Sequence, residues 1–518
     1  MVAPKLSLAI GSMLILGFVV LILGGRWIGK SATENKEPLS DPCRPSDLAI
    51  LIAIMAVASA LRLYGLNAGL WHDEVLTYTR YARMPFGEII STFSDQNQHM
   101  LYTILAHASF VIFGESTWSL RVPAVLFGIG SIWALYLFGR QAASTREALL
   151  AAALLACSYH HIWFSQNARG YTGLLFWTML TSWLFLRGLR EAWAQLWLFY
   201  AVASALGVYT NMTMLFVIVG QFLIYLMALW TRRLESWPYR WTGLFLGFGL
   251  AGFLTLLLHA IVLPQIFAGM VGEESTVPAW TNPLWTLLEF VQGIQMSFAG
   301  GIVATTALLV FGAGFISFTR TDPIVIQLLV IPTLLVAAVV IGLGHHLWPR
   351  FFFFTIGFGA LVIIRGCLQV GRMIASPLRW ATRRAIPIGT AFCIALIFVS
   401  ALSIPRVYGP KQDFLGALNF IEASKEPGDV IVTIGLVTFT YSQLYNMDWT
   451  EVKTVEDLEA IRARAKRTWL LYTFPPHIQS VYPKIMESIQ HDFKTLKQFP
   501  GTVGSGTIFV CLSDTPPS

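Results

Sequence analysis

Apolar runs of roughly bilayer length recur along the chain, separated by short polar breaks. About 20 apolar residues span a hydrocarbon layer at the helical rise. The pattern predicts spanning helices over about 7–24, 47–66, 118–138, 147–164, 171–187, 194–209, 212–231, 241–262, 299–318, 323–343, 350–367 and 386–404, twelve in all. Residues 99–113 are apolar but shorter and carry His99 and His107, which predicts a juxtamembrane helix lying in the interface. From Pro405 onward the pattern changes. "DFLGALNFIEASKEPGD" predicts a helix stopped by Pro427–Gly428. "VIVTIG", "TWLLYTF" and "GTIFVCLS" predict short strands, and "PPHIQSVYPKIMESIQHDF" predicts a helix with prolines at its start. Strands alternating with helices predict a small α/β domain.

The chain therefore divides into an extra N-terminal helix and loop (1–46), a polytopic α-helical membrane module (47–404) and a C-terminal α/β domain (405–518). Of its 518 residues 55% are hydrophobic and only 12% charged, against about a quarter charged in soluble domains. The five cysteines are scattered, with no metal or disulfide spacing. The net charge of +7 gains its meaning from placement. With residues 25–46 set in the cytoplasm, the cytoplasmic loops collect seventeen Lys and Arg between Arg26 and Arg384. The other side collects seven before the tail: Lys5, Arg62, Arg80, Arg83, Arg121, Arg169 and Arg350. This is the positive-inside bias of a membrane protein, and it removes the case for a nucleic-acid patch. Counting 99–113 as a span would destroy the bias. The N-terminal flank "MVAPK" resembles a signal-peptide n-region, but no small-residue cleavage motif follows, so 7–24 is read as a retained span.

Polar chemistry gathers at the outer ends of the predicted helices. "GLNAGLWHDEVLTYTRYA" (65–82) sets His72, Asp73 and Glu74 just past the second span. Solvated interfacial carboxylates are common and cheap there. The sharper reading is a catalytic carboxylate at membrane depth, between a lipid head group and a water-side acceptor. The same face carries "SYHHIWFSQNARGYTG" (158–173) and "GHHLWPRFFFF" (344–354), each with a single arginine. Arg169 and Arg350 are candidate phosphate partners, with interfacial anchoring as the alternative. The histidine pairs His160–His161 and His345–His346 are weak evidence for a metal site, since neighbours on a helix point apart, and a structural role is the better reading. Glu273 and Glu274 lie in a loop (264–290) that serves as a lid or a solvated connector. Tyr78, Arg80, His99, Tyr171 and His346 are further candidate substrate contacts on this face. The span interiors carry almost no ionisable residues, unlike those of ion-coupled transporters.

"LRLYGLNAGLWHDEVLTYT", "QNQHMLYTILAHASFVIFGESTWSLRVPAVLFG" and "SYHHIWFSQNARGYTGLLFW" together resemble the integral membrane glycosyltransferases of the GT-C fold. The nearest group is family 39, the protein mannosyltransferase-like branch, which also resembles the lipid A aminoarabinose transferase. The resemblance covers about 47–405 and is strongest over 60–190. It implies transfer of a sugar from a polyprenyl-phosphate-linked donor to a lipid, glycan or protein acceptor, outside the cytoplasm and with inversion. The location implied is a bacterial inner membrane, with the C-terminal domain outside. The family's catalytic aspartate matches Asp73; Glu74 would orient it, and Arg169 and Arg350 would meet the departing phosphate. Two positions depart from the family. His99–Met100–Leu101 stands where many relatives have H-P-P-L, and Q-N-A-R-G-Y lacks a second aspartate found in some. No cofactor is required by these motifs, and a divalent metal stays open. The alternative reading is a lipid-linked sugar flippase without chemistry.

Overall fold

The computed structural model describes residues 44–95, 97–191, 193–231, 240–272, 285, 286, 288, 289, 301–375 and 385–514. The span predicted at 7–24 and the pair Glu273–Glu274 lie outside the described residues. From residue 47 onward a helix stands at each predicted position. Among the described residues five are long and apolar enough to cross a membrane: Pro45–Leu63, Thr117–Ala142, Pro323–Gly342, Pro349–Ala375 and Ile386–Tyr408. The run predicted as one span at 147–164 is two helices, Thr145–Ala156 and Tyr159–Ser165, bent by 64°. Ser158 makes the break by capping the second helix, its side chain accepting from the His161 amide. Met100–Phe113 is apolar but short, and so are Met214–Trp230 and Gly243–His259, which lie in runs predicted as spans. Met100–Phe113 stops at Gly114, whose φ of 80° suits glycine.

Lipid contact is legible in the burial. Pro45–Leu63 buries only Leu51, Ala58 and Arg62, while Ile52 is 60% exposed. Contiguous apolar exposure on this scale is disfavoured in water and natural in a bilayer. The chain is an integral membrane protein. Gly314 and Gly366 bring the helices Gly301–Thr321 and Ile356–Ala375 into backbone contact. A Cβ on Gly314 would run into the carbonyl of Val362, and one on Gly366 into that of Val310. Small residues are what allow membrane helices to approach this closely. Gly366→Leu is therefore expected to force the two helices apart and lower the detergent melting temperature, and Gly359→Leu to do so much less, since nothing lies within 4 Å of a Cβ there.

The C-terminal segment forms a five-stranded sheet: β1 (Val430–Thr433), β2 (Thr450–Glu451), β3 (Thr468–Tyr472), β4 (Lys494–Phe499) and β5 (Ile508–Ser513). The order is β2-β1-β3-β5-β4. β1 is parallel to β2 and β3, whereas β5 is antiparallel to β3 and β4. Every residue of β3 is buried because both faces are covered. Trp469 and Leu471 pack with Phe414 and Ile421, whereas Leu470 and Tyr472 pack with Ile485 and Ile489. This is the period-2 alternation of a strand. The helix predicted from Pro475 is two, Pro475–Val481 and Pro483–Asp492, parted before Pro483 as a proline dictates.

Candidate active site

The stretch between Leu63 and Leu76 is folded around one guanidinium. Arg121, fully buried near the start of Thr117–Ala142, donates to the carbonyls of Leu66 (2.8 Å), Ala68 (2.7 Å) and Gly69 (2.9 Å). Its Nε and Nη2 donate to the two carboxylate oxygens of Glu74 at 2.8 and 2.7 Å. All five guanidinium donors are thus employed. Glu74 is itself 0% exposed; it accepts from the Ala168 amide at 2.8 Å, and Lys411 Nζ lies 3.6 Å away. Burial pushes the Glu74 carboxyl up, but Arg121 and Lys411 outweigh it and hold the group below its ordinary value. Trp71 ties the same loop across, donating from Nε1 to Asn167 at 3.1 Å.

Asp73 is the second residue of the short helix His72–Leu76 and engages a different pair of arginines. Its side chain is 12% exposed, and its Oδ2 lies 2.9 Å from Arg169 Nη1 and 3.2 Å from Arg350 Nη1. Arg169 is almost wholly buried and donates to Asn97 Oδ1 at 2.9 Å. Burial would depress its ionisation, but Asp73 and further negative partners raise it, so it stays a cation. Arg350 is more open and lies over the Trp348 ring at 4.9 Å. His99 completes the group, its ring edge-on to Tyr171 at 5.4 Å. Burial, then Arg169 and Arg350, hold its imidazole well below its ordinary value, so it is neutral at pH 7. Its buried Nε2 has no hydrogen-bond partner among the described residues. Gly170 keeps room for it, since a Cβ there would sit 2.6 Å from the Thr210 carbonyl and 3.1 Å from the His99 ring.

Asp73, Arg169, Arg350, His99 and Tyr171 therefore meet. His346 lies beside them, its ring 5.7 Å from Trp348. Tyr78 and Arg80 face elsewhere. Tyr78 packs against Phe110, and the Arg80 guanidinium lies 4.6 Å over the Phe439 ring. Two α-turns would return Arg80 to the face of Asp73. Residues Thr77–Ala82 instead form a π-helix, whose wider turn rotates Arg80 away. His161 is a packing residue, fully buried between Arg62 Nη2 (2.5 Å) and Ser131 Oγ (2.8 Å). Among the described residues no three His, Cys, Asp or Glu side chains gather to hold a metal ion. Sequence reasoning assigned no role to Arg121, Asn97, Lys411 or Gln412. Arg121 carried a signal, as an arginine on the face where the predicted topology leaves few; the other three had none.

Residues 98–259 match the model of the family described as dolichyl-phosphate-mannose-protein mannosyltransferase. The match includes Arg169 and excludes Asp73 and Arg350. Over 198 residues the chain is 24% identical to the Bacillus subtilis (strain 168) protein named "Putative mannosyltransferase YkcB". That match covers 35% of this chain and about a quarter (26%) of the length of the relative. Among solved structures the chain is similar to ArnT from Cupriavidus metallidurans in the apo state. Identity is 12%, coverage 90% of this chain and 98% of that one, and the TM-score 0.49. It is also similar to the apo Archaeoglobus fulgidus oligosaccharyltransferase, with 11% identity, 89% and 76% coverage and a TM-score of 0.47.

Proposed function

We propose that this chain is a membrane glycosyltransferase that moves a sugar from a polyprenyl-phosphate-linked donor to an acceptor hydroxyl, with Asp73 as the base. The observation that carries the reading is the pairing of a nearly enclosed carboxylate with two arginines, 2.9 and 3.2 Å away. One of them lies inside the stretch that matches a lipid-phosphate-dependent transferase family. The chemistry needs both charges. Asp73 takes the proton from the acceptor hydroxyl as its oxygen attacks the anomeric carbon. The bond from that carbon to the phosphate oxygen breaks, and the lipid phosphate leaves as an anion. A phosphate is stable once it departs, so no acid is required; cations aimed at its oxygens stabilise the developing charge. Arg169 and Arg350 supply them.

In this reading the arginines serve two anions in turn. Without donor they neutralise Asp73. With donor they turn to the phosphate and leave the Asp73 carboxylate free to meet the acceptor hydroxyl. Glu74 does not touch the substrate. It fixes the loop on which Asp73 sits. The site lies on the outer face, inferred from the arginine distribution, with the C-terminal segment on the same side.

The purified protein incubated with a polyprenyl-phosphate-linked sugar should release free polyprenyl phosphate and form a glycoside in equal amounts. Passage of labelled lipid across a bilayer with no glycoside formed would favour a flippase and sink this reading. Arg350→Gln is expected to raise the donor KM by about ten- to a hundredfold, the worth of one charge-assisted hydrogen bond. An unchanged KM would remove Arg350 from the phosphate site.

A further inference from the structure

The C-terminal segment reaches the Asp73 helix through side chains that the proposed chemistry does not use. Lys411 is 7% exposed, and its ammonium donates to the Gln166 carbonyl at 2.7 Å, 3.6 Å from Glu74 and 5.5 Å from the Trp163 ring. Gln412, 3% exposed, accepts from the His72 amide at 3.0 Å. Its own amide donates to Thr473 Oγ1 at 3.3 Å, at the end of β3. On the far flank Phe439 meets the His72 ring edge-on at 6.0 Å, and Thr440 Oγ1 lies 3.4 Å from His72 Nδ1. The backbone around this pair is fixed as well. Thr502 N donates to the Pro410 carbonyl (2.9 Å) and Val503 N to that of Lys411 (3.1 Å), while Trp163 donates from its indole to Thr502 Oγ1 (2.8 Å).

A buried lysine is costly unless it is engaged. Burial, with Arg121 adding to it, pushes the Lys411 ammonium down to about 7 against the pull of Glu74. A methionine of similar length would fill the same space without that cost. The chain instead holds an amine where the loop 166–169, the Glu74 clasp and the C-terminal segment converge. Gln412 likewise occupies the first amide of the Asp73 helix, one of the orphan donors at a helix start.

We propose that Lys411 and Gln412 are positioning residues that latch the C-terminal segment to the His72–Leu76 helix and so set where Asp73 stands. The inference rests on the glycosyltransferase reading for its kinetic consequence, and on geometry alone for the latch. Neither residue touches the reacting atoms. Each acts through the backbone or through Glu74. Placement of a catalytic base is sensitive: a shift of about 1 Å from a change outside the chemistry can cost about a hundredfold.

The test uses the full chain with Lys411→Met, Gln412→Met and Gln412→Glu. Gln412→Glu keeps an acceptor for the His72 amide. In the two methionine variants kcat should fall by about ten- to a hundredfold, with the donor KM and the melting temperature close to those of the unaltered protein, and Gln412→Glu should recover most of the loss. Hydrogen exchange of the amides in 66–82 should quicken in Gln412→Met, with the Pro45–Leu63 helix unchanged. Unaltered kcat and unaltered exchange would overturn the proposal. So would a fall in kcat and melting temperature together with a rise in KM, which is the mark of a merely structural contact. If the unaltered protein transfers no sugar, the glycosyltransferase reading falls, and the exchange measurement alone decides whether the latch exists.

Discussion

Replacing Asp73 with asparagine is expected to lower turnover by about two to four orders of magnitude, the usual contribution of a positioned general base. The same change should leave donor binding intact or strengthen it. Asp73 holds Arg169 at 2.9 Å and Arg350 at 3.2 Å through a single oxygen. An amide of the same shape fills the space without the charge, so both guanidinium groups become free to meet an incoming phosphate. The two effects in opposite directions distinguish a base from a structural carboxylate, whose loss would weaken both. Single-turnover transfer and equilibrium binding of a polyprenyl-phosphate-linked sugar measure them separately. Undiminished transfer by Asp73→Asn would reject Asp73 as the base. A parallel loss of binding would mean that the carboxylate organises the site and does not act on the acceptor.

The long apolar helices were legible because burial in lipid leaves a run that any window of the right length detects; five of the described ones are long and apolar enough to cross a membrane. The break at Cys157–Ser158 was not, since the residues on either side remain apolar and only the Ser158 cap marks it. β4 escaped for the opposite reason. It is an edge strand with Lys494, Thr495, Leu496 and Lys497 exposed, and charges of this kind protect an open edge while erasing the alternation that announces a strand. In the site, Asp73 could be found as one of two adjacent carboxylates just past a predicted span, and Arg169 and Arg350 as lone arginines on a predicted face where arginine is scarce. Their convergence could not, because it joins three loops far apart in sequence. Tyr78 and Arg80 were placed by proximity along the chain, and the π-turn at Thr77–Ala82 carries the Arg80 guanidinium over the Phe439 ring. Lys411 and Gln412 were invisible for a further reason. Their partners are a backbone carbonyl and a backbone amide in distant loops, which no residue pattern records.

The largest effect on stability should come from the Glu74–Arg121 clasp. Glu74→Leu strands Arg121, a buried cation, with no carboxylate to pair it, whereas Lys411, held at about 7 even beside Glu74, gives up its proton. Removing one partner of such a pair costs about 3–5 kcal/mol. Arg121→Met should be somewhat milder for charge, since Lys411 still faces Glu74 at 3.6 Å, but it removes the donors from three loop carbonyls. Arg121→Lys should not rescue it, because three donors on a flexible stem cannot replace five in a fixed fork. The double variant Glu74→Leu/Arg121→Met should melt above the Glu74→Leu single in detergent, since apolar side chains can fill the site without an uncompensated charge. It should still turn over poorly, because the carbonyls of Leu66, Ala68 and Gly69 lose the donor that shapes the loop leading to Asp73. Recovery of melting without recovery of turnover would separate the two tasks of the clasp, paying for its own buried charge and holding the base in place. Additive losses in the double variant would show instead that the two residues stabilise the protein independently, which the bidentate contact at 2.7 and 2.8 Å argues against.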